Sequence, residues 1–288
     1  MISCINLLGG NNMNQTQDFT KGVIWKQLLF FFFPILIGSF FQQLYNTVDT
    51  IIVGQAVGTS ALAAVGSTGN LTNLIINFYV GLSTGASVVI AQYYGAQNNK
   101  KIHQAVHTSY SLAIVSGILM MLFGLFFSYQ CLDAIGTPHD ILNDATLYMQ
   151  LYFLCMIPGA IYNIGAGILR AVGDSKRPLY YLIVCSIVNV VFDYIFVVIF
   201  HQGIAGAAIA TVIAQFVCAI LVTIQLMRTN EVYKLTLSKM KFHLPVLKKI
   251  IMIGAPAGIQ STMYSISNIV LQSHINAFGT QTRSEERR

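Results

Sequence analysis

Two aspartates stand deep in apolar runs with no Lys or Arg at comparable depth: Asp49 in YNTVDTIIVG and Asp193 in NVVFDYIFV. A bare carboxylate is costly where water is scarce. It persists there by taking up a proton, by binding a cation or by facing a water-filled cavity. Oxygen-bearing side chains recur around both. Asn189 and Asp193 are four residues apart and share a helix face, as do Thr211 and Gln215. Gln42, Tyr45 and Asp49 fall at i, i+3 and i+7, again one face, and Tyr148 and Asn163 add to the set. Such ligands suit a hard cation such as sodium, or a shared proton. The plainer alternative is hydrogen-bonded glue between helices. Asn or Ser would serve that purpose at less cost than Asp.

The elements that must position these groups are membrane spans. Hydrophobic residues make up 55% of the chain and charged residues only 9%, where a soluble domain has about a quarter charged. A spanning helix needs about 20 mostly apolar residues. Seven segments qualify, at roughly 27–54, 61–93, 104–130, 144–170, 178–200, 204–227 and 248–277. The runs are continuously apolar rather than alternating, so helices are expected and not barrel strands. The expected fold is an all-α polytopic membrane helix bundle. Lys21 and Lys26 precede the first segment, and Lys100 and Lys101, the group Arg170, Lys176 and Arg177, and the cluster from Arg228 to Lys249 lie in every second connection after it, all on one side. The intervening loops carry no Lys or Arg. The N-terminus and the basic loop 228–247 are therefore expected in the cytoplasm, of a multi-pass protein. Pro34 and Pro158 should kink or loosen segments one and four. Gly81 with Gly85, and the stripe Gly203, Gly206, Ala207, Ala210 and Ala214, should let helices pack closely.

Several functions are excluded. The net charge of +6 is scattered over loops, so no nucleic-acid partner is expected. No GxxxxGK[ST] loop, nucleophile–base pair or metal triad is present, so the chain is not read as an enzyme. The five cysteines include no CxxC pair and are expected to act as small hydrophobes, without a disulfide or zinc site. His103 and His107 lack a third metal ligand. Residues 1–20 carry no secretory signal. Leu8-Gly9-Gly10 can be encoded by a ribosome-binding sequence at a fitting distance before Met13. Translation is accordingly expected to start at Met13, with residues 1–12 a mis-assigned start.

An ordered series of motifs resembles the multidrug and toxic compound extrusion (MATE) family, in its bacterial DinF-like branch. The series is Pro34 to Asp49, ALAAVG at 61–66, AQYYGA at 91–96, LRAVGDSKRP at 169–178, NVVFDYIFV at 189–197 and GIAGAAIATVIAQ at 203–215. The resemblance implies a secondary antiporter of the bacterial plasma membrane. Sodium or proton entry would drive export of cationic or amphipathic drugs and toxic compounds. No cofactor is implied beyond the coupling ion. It also implies two six-helix lobes around a central cavity. Residue by residue, it assigns the coupling site to Asp49, Asn189 and Asp193, which could hold sodium, with Asn163 and Thr211 as further polar positions. It places Gln42, Tyr45 and Tyr148 in the substrate cavity and makes Pro34 the helix hinge. Membrane lipid is the surrounding partner, and the full-length form is expected to be a monomer.

The chain departs from that pattern after its seventh segment. Pro34 to Thr59 and Pro256 to Thr280 look like two copies of one repeat, each starting at Pro and ending in Gly-Thr. The first continues into SALAAVG, the second into QTRSEERR. The expected organisation is a cytoplasmic segment 1–26, a six-helix N-terminal lobe 27–227, the basic loop 228–247, the first helix of an incomplete second lobe 248–280, and an aberrant tail 281–288. This predicts a truncated transporter with an orphan seventh helix. Two rivals remain. A lipid-linked oligosaccharide flippase should carry a cationic cavity, whereas these spans hold acids and no Arg. A non-transporting membrane fragment should show no cation response.

Overall fold

A computed structural model describes residues 23–57 and 59–277. The expectations for the start at Met13 and for the tail 281–288 lie outside the described residues. The chain is helical throughout its spans: α1 Ile24–Ala56, α2 Thr59–Gly95, α3 Asn99–Ala134, α4 His139–Phe153, α5 Met156–Ala171, α6 Lys176–Asp193, α7 Gly203–Arg228 and α8 Leu244–Ala277. Continuous apolar sequence favours this outcome, because a helix satisfies every backbone group internally where water is absent. Among the described residues, five helices are long and apolar enough to cross a membrane; counted as one broken span, the bent α4–α5 pair adds a sixth. At 33 residues, α1 is roughly 50 Å long and exceeds the hydrocarbon thickness of about 30 Å. Its outer face, with Trp25, Phe30, Phe33 and Phe40 exposed, suits lipid contact.

Segment four differs from the single helix expected. It breaks at Leu154 and Cys155, and its halves bend by 45°. Pro158 sits in the first turn of α5, where its missing N–H costs no helix bond. Pro34 lies inside α1, which continues as helix on both sides of it. Segment five also changes character: α6 passes at Asp193 into a π-helical turn, Tyr194–Ile199.

The core runs between α2, α3, α4, α5 and α7, with Tyr110, Phe153, Ile164 and Leu226 among its buried side chains. The seventh segment is tightly docked. Its helix α8 lies antiparallel along α2, with Gly254 and Gly258 facing Gly85 and Gly81. Small residues four apart on both helices let the two backbones touch. The connection between α7 and α8 is anchored as well. Tyr233 and Leu235 are buried in the same core, and the Leu235 amide donates to the Leu226 carbonyl at 2.8 Å.

The cysteine expectation is corrected. Cys185 of α6 and Cys218 of α7 form a disulfide, their Cα atoms 5.8 Å apart, inside the range such a bond spans. The packing of α6 on α7 makes neighbours of two positions that no sequence spacing relates. Cys131 and Cys155 are free thiols.

Candidate cation site and cavity

A cavity of about 700 Å³ runs down the middle of the bundle. α1 lines it with Pro34, Gly38, Gln42 and Tyr45, α6 with Pro178, Leu182, Ser186 and Asn189, and α7 with Cys218, Gln215 and Thr211. Each set advances by three or four residues, so each helix gives the cavity one face. Ser83 and Ser87 of α2 and Asn163 of α5 complete the polar wall.

Register along these helices places the acids. One turn past Tyr45 on α1 comes Asp49, and one turn past Asn189 on α6 comes Asp193. One further turn brings Val53 and Val197, which pack with Ala207 of α7 into a small buried apolar cluster. Ala207 itself lies one turn beyond Thr211. Three helices therefore repeat one order: cavity wall, polar layer, apolar plug. Asp49 and Asp193 sit between the cavity and the plug, within electrostatic reach of each other.

The acidic layer is rich in unsatisfied oxygen. Asp193 is fully buried, and both its carboxylate oxygens lack a hydrogen-bond partner, as do Asp49 Oδ1, Asn189 Oδ1 and Gln215 Oε1. Buried polar atoms are normally paired. An unpaired group of oxygens, two of the side chains acidic, is the environment a hard cation or a proton satisfies. Asn189 is held in place by its other end: Nδ2 donates to Thr211 Oγ1 at 3.4 Å. Thr211 Oγ1 donates in turn to the Ala207 carbonyl at 3.1 Å. Among the described residues, no three His, Cys, Asp or Glu side chains gather at one point. A cation here would therefore rely on amide and hydroxyl oxygens beside the two carboxylates, as sodium can.

The other expected residues distribute around this layer. Gln42 and Tyr45 line the cavity. Asn163 lines it too, with Nδ2 donating to the Gly159 carbonyl at 2.9 Å and its backbone carbonyl accepting from Ser83 Oγ at 2.6 Å. Tyr148, expected in the cavity wall, is not one of the lining residues. It is buried in the acidic layer, within reach of both Asp49 and Asp193. Pro34 faces the cavity.

Gln215, paired with Thr211 by its i+4 spacing, lines the cavity and carries an unpaired oxygen. Two further features of the wall were not expected as functional. The Cys185–Cys218 pair lines the cavity. Arg170, assigned to a loop, is in the last turn of α5 and reaches the cavity. The expectation of a wall without Arg is thereby corrected. The helix extends past the apolar run that marked its end.

Comparisons with known proteins bear on this arrangement. The family model described as MatE matches residues 34–195, a stretch that holds Asp49, Asn189 and Asp193. The "Probable multidrug resistance protein YoeA" of Bacillus subtilis is 28% identical over 272 residues, covering 92% of this chain and 59% of the relative. The "Multidrug export protein MepA" of Staphylococcus saprophyticus is 22% identical over 269 residues, with the same two coverages. A solved structure titled "Crystal structure of MATE in the bent conformation" superposes with a TM-score of 0.80 at 27% identity, over 86% of this chain and 55% of that one. The chain thus spans somewhat more than half the length of the proteins it matches.

Proposed function

Since the chain belongs to the MATE (multidrug and toxic compound extrusion) family, we propose that it supplies the ion-coupling half of a secondary antiporter. On this reading it is a transporter and not an enzyme, multi-pass in a bacterial plasma membrane with its N-terminus in the cytoplasm. Sodium or a proton is the driving ion, and a cationic or amphipathic compound is the exported cargo. Relatives named for multidrug resistance and export support the cargo class. The observation that carries the coupling is the sealed acidic layer. Asp193 and Asp49 hold unpaired buried oxygens directly above an apolar plug of Val53, Val197 and Ala207.

The chemistry is electrostatic. An arriving cation or proton neutralises charge that the low-dielectric interior tolerates poorly. Asn189 and Thr211 orient one amide oxygen toward it, and the plug excludes water from the far side. A positively charged cargo in the cavity competes for the same negative charge, so ion and cargo oppose each other's binding by linkage. Gln42 and Tyr45, one turn or more from Asp49, give the cargo its polar contacts. The free oxygens of the acidic layer favour this reading over glue, since glue would consume them. Arg170 at the wall is the one feature that favours an anionic, lipid-linked cargo instead. It lies in the last turn of α5, at the basic end of the bundle, away from the acids.

The test is calorimetric titration of sodium, and separately of acid, into the purified chain, alongside Asp49→Asn, Asp193→Asn and Asn189→Ala. The expected outcome is saturable ion binding that the two Asp variants abolish and the Asn variant weakens. Binding unchanged in both Asp variants would overturn the coupling role.

A further inference from the structure

A second cavity, of about 450 Å³, opens at the basic end of the bundle, away from the acidic layer. Lys100 and His103 of α3 form one side, and Lys239, Lys241 and His243 of the α7–α8 connection form the other. Gln104 adds a neutral hydrogen-bonding group. No carboxylate lines it. The connection has a single acid, Glu231, and it lies outside the cavity.

The walls are built and held. His107 is buried, with Nδ1 donating to the His103 carbonyl at 2.7 Å and Nε2 accepting from the Thr236 amide at 3.1 Å. Thr108 Oγ1 accepts from the His243 amide at 3.2 Å. Two consecutive buried residues of α3 thus clamp both ends of the segment that carries Lys239 and Lys241. A short 3₁₀ turn, Leu237–Lys239, sits between the clamps. The like charges gathered there repel one another, and a topology signal alone does not require them to converge on one concave site.

Apolar residues adjoin the lining residues in sequence. Leu237 precedes Ser238, and Phe242 and Leu244 bracket His243; all three are exposed, at 47%, 43% and 73%. They interleave with the lysines along the connection, so a basic hollow and a greasy rim occupy one short segment. Charge complementarity selects a phosphate-bearing anion, and the rim selects one that carries acyl chains. We propose that this cavity binds the phosphate headgroup of an anionic phospholipid, with Leu237, Phe242 and Leu244 against its chains. The bound lipid bridges α3 to the connection that leads into α8. It thereby ties α8 to the bundle before it.

The experiment titrates short-chain phosphatidylglycerol, phosphatidylcholine and inorganic phosphate, separately, into the purified 288-residue chain and reads the thermal unfolding midpoint. The expected result is a saturable upward shift with phosphatidylglycerol and little with phosphatidylcholine. Apparent affinity should fall roughly fivefold for each lysine removed in the series Lys100→Gln, Lys239→Gln and Lys241→Gln. Lys234→Gln, outside the cavity, should leave it unchanged. Should the variant that combines all three substitutions not fold, Gln104→Glu places an anion in the hollow and must weaken the shift by itself. A shift with inorganic phosphate and none with the lipid overturns the lipid assignment. Equal shifts with both lipids, or losses equal in Lys234→Gln and the cavity variants, overturn the site.

Discussion

Gly81 and Gly258 touch backbone to backbone: a Cβ on Gly81 would lie 2.1 Å from the Gly258 Cα. Gly85 and Gly254 repeat the contact one turn away, with Gly254 Cα 2.6 Å from the same construction on Gly85. No side chain can yield there, so Gly81→Ala must push α8 off α2. A loss of about 1–3 kcal/mol is expected, the usual cost of overpacking, read as thermal unfolding in detergent. Gly95→Ala, with nothing within 4 Å, is the matched control and should stay within about 0.5 kcal/mol.

Asp193→Asn separates stability from coupling. Replacing a buried carboxylate that lacks partners by a neutral amide should raise ion-free stability by about 1–3 kcal/mol. The same change should remove stabilisation by added sodium. Unfolding curves of wild type and variant, with and without the salt and against a choline control, give both numbers. A variant that is less stable and still responds to sodium would contradict the proposed site.

Thr211→Val keeps the shape of the polar layer and deletes the hydroxyl that accepts from Asn189 Nδ2 at 3.4 Å. A stability loss of about 1 kcal/mol is expected. Because Asn189 loses its anchor, apparent ion affinity should fall about tenfold, while Thr211→Ser should restore most of it. Parallel titrations of the two variants distinguish lost positioning from lost packing.

Asp174, between α5 and α6, offers a pH signature outside the spans. Burial holds its carboxyl above the ordinary aspartate value, against the pull of the Arg177 amide and guanidinium. Its Oδ2 is 3.3 Å from Arg177 Nη1, and its Oδ1 accepts the Arg177 amide at 3.1 Å. A raised value means the folded chain favours the protonated form. Its contribution to stability is therefore fully present below the ordinary value of 3.8 and is lost as pH rises through the raised one. Relative to Asp174→Asn, which keeps the amide contact, the wild type should lose stability over that rise. Paired melting curves across the acidic range measure the difference.

The membrane class, the helical character of each segment and the presence of acids within apolar runs were legible in the sequence, because each is a local property. Apolar length decides spanning, and an i, i+4 spacing decides which groups share a face, as for Asn189 with Asp193. How those faces meet was not legible. Asp49 and Asp193 are 144 residues apart in the chain, and only the packing of α1 on α6 and α7 sets them in one layer above Val53, Val197 and Ala207. The same holds for the Cys185–Cys218 pair, for Tyr148 beside the acids, for Arg170 at the cavity and for α8 along α2. Each depends on the depth and rotation of one helix against another. Composition leaves both free, and close packing of whole surfaces selects one value of each.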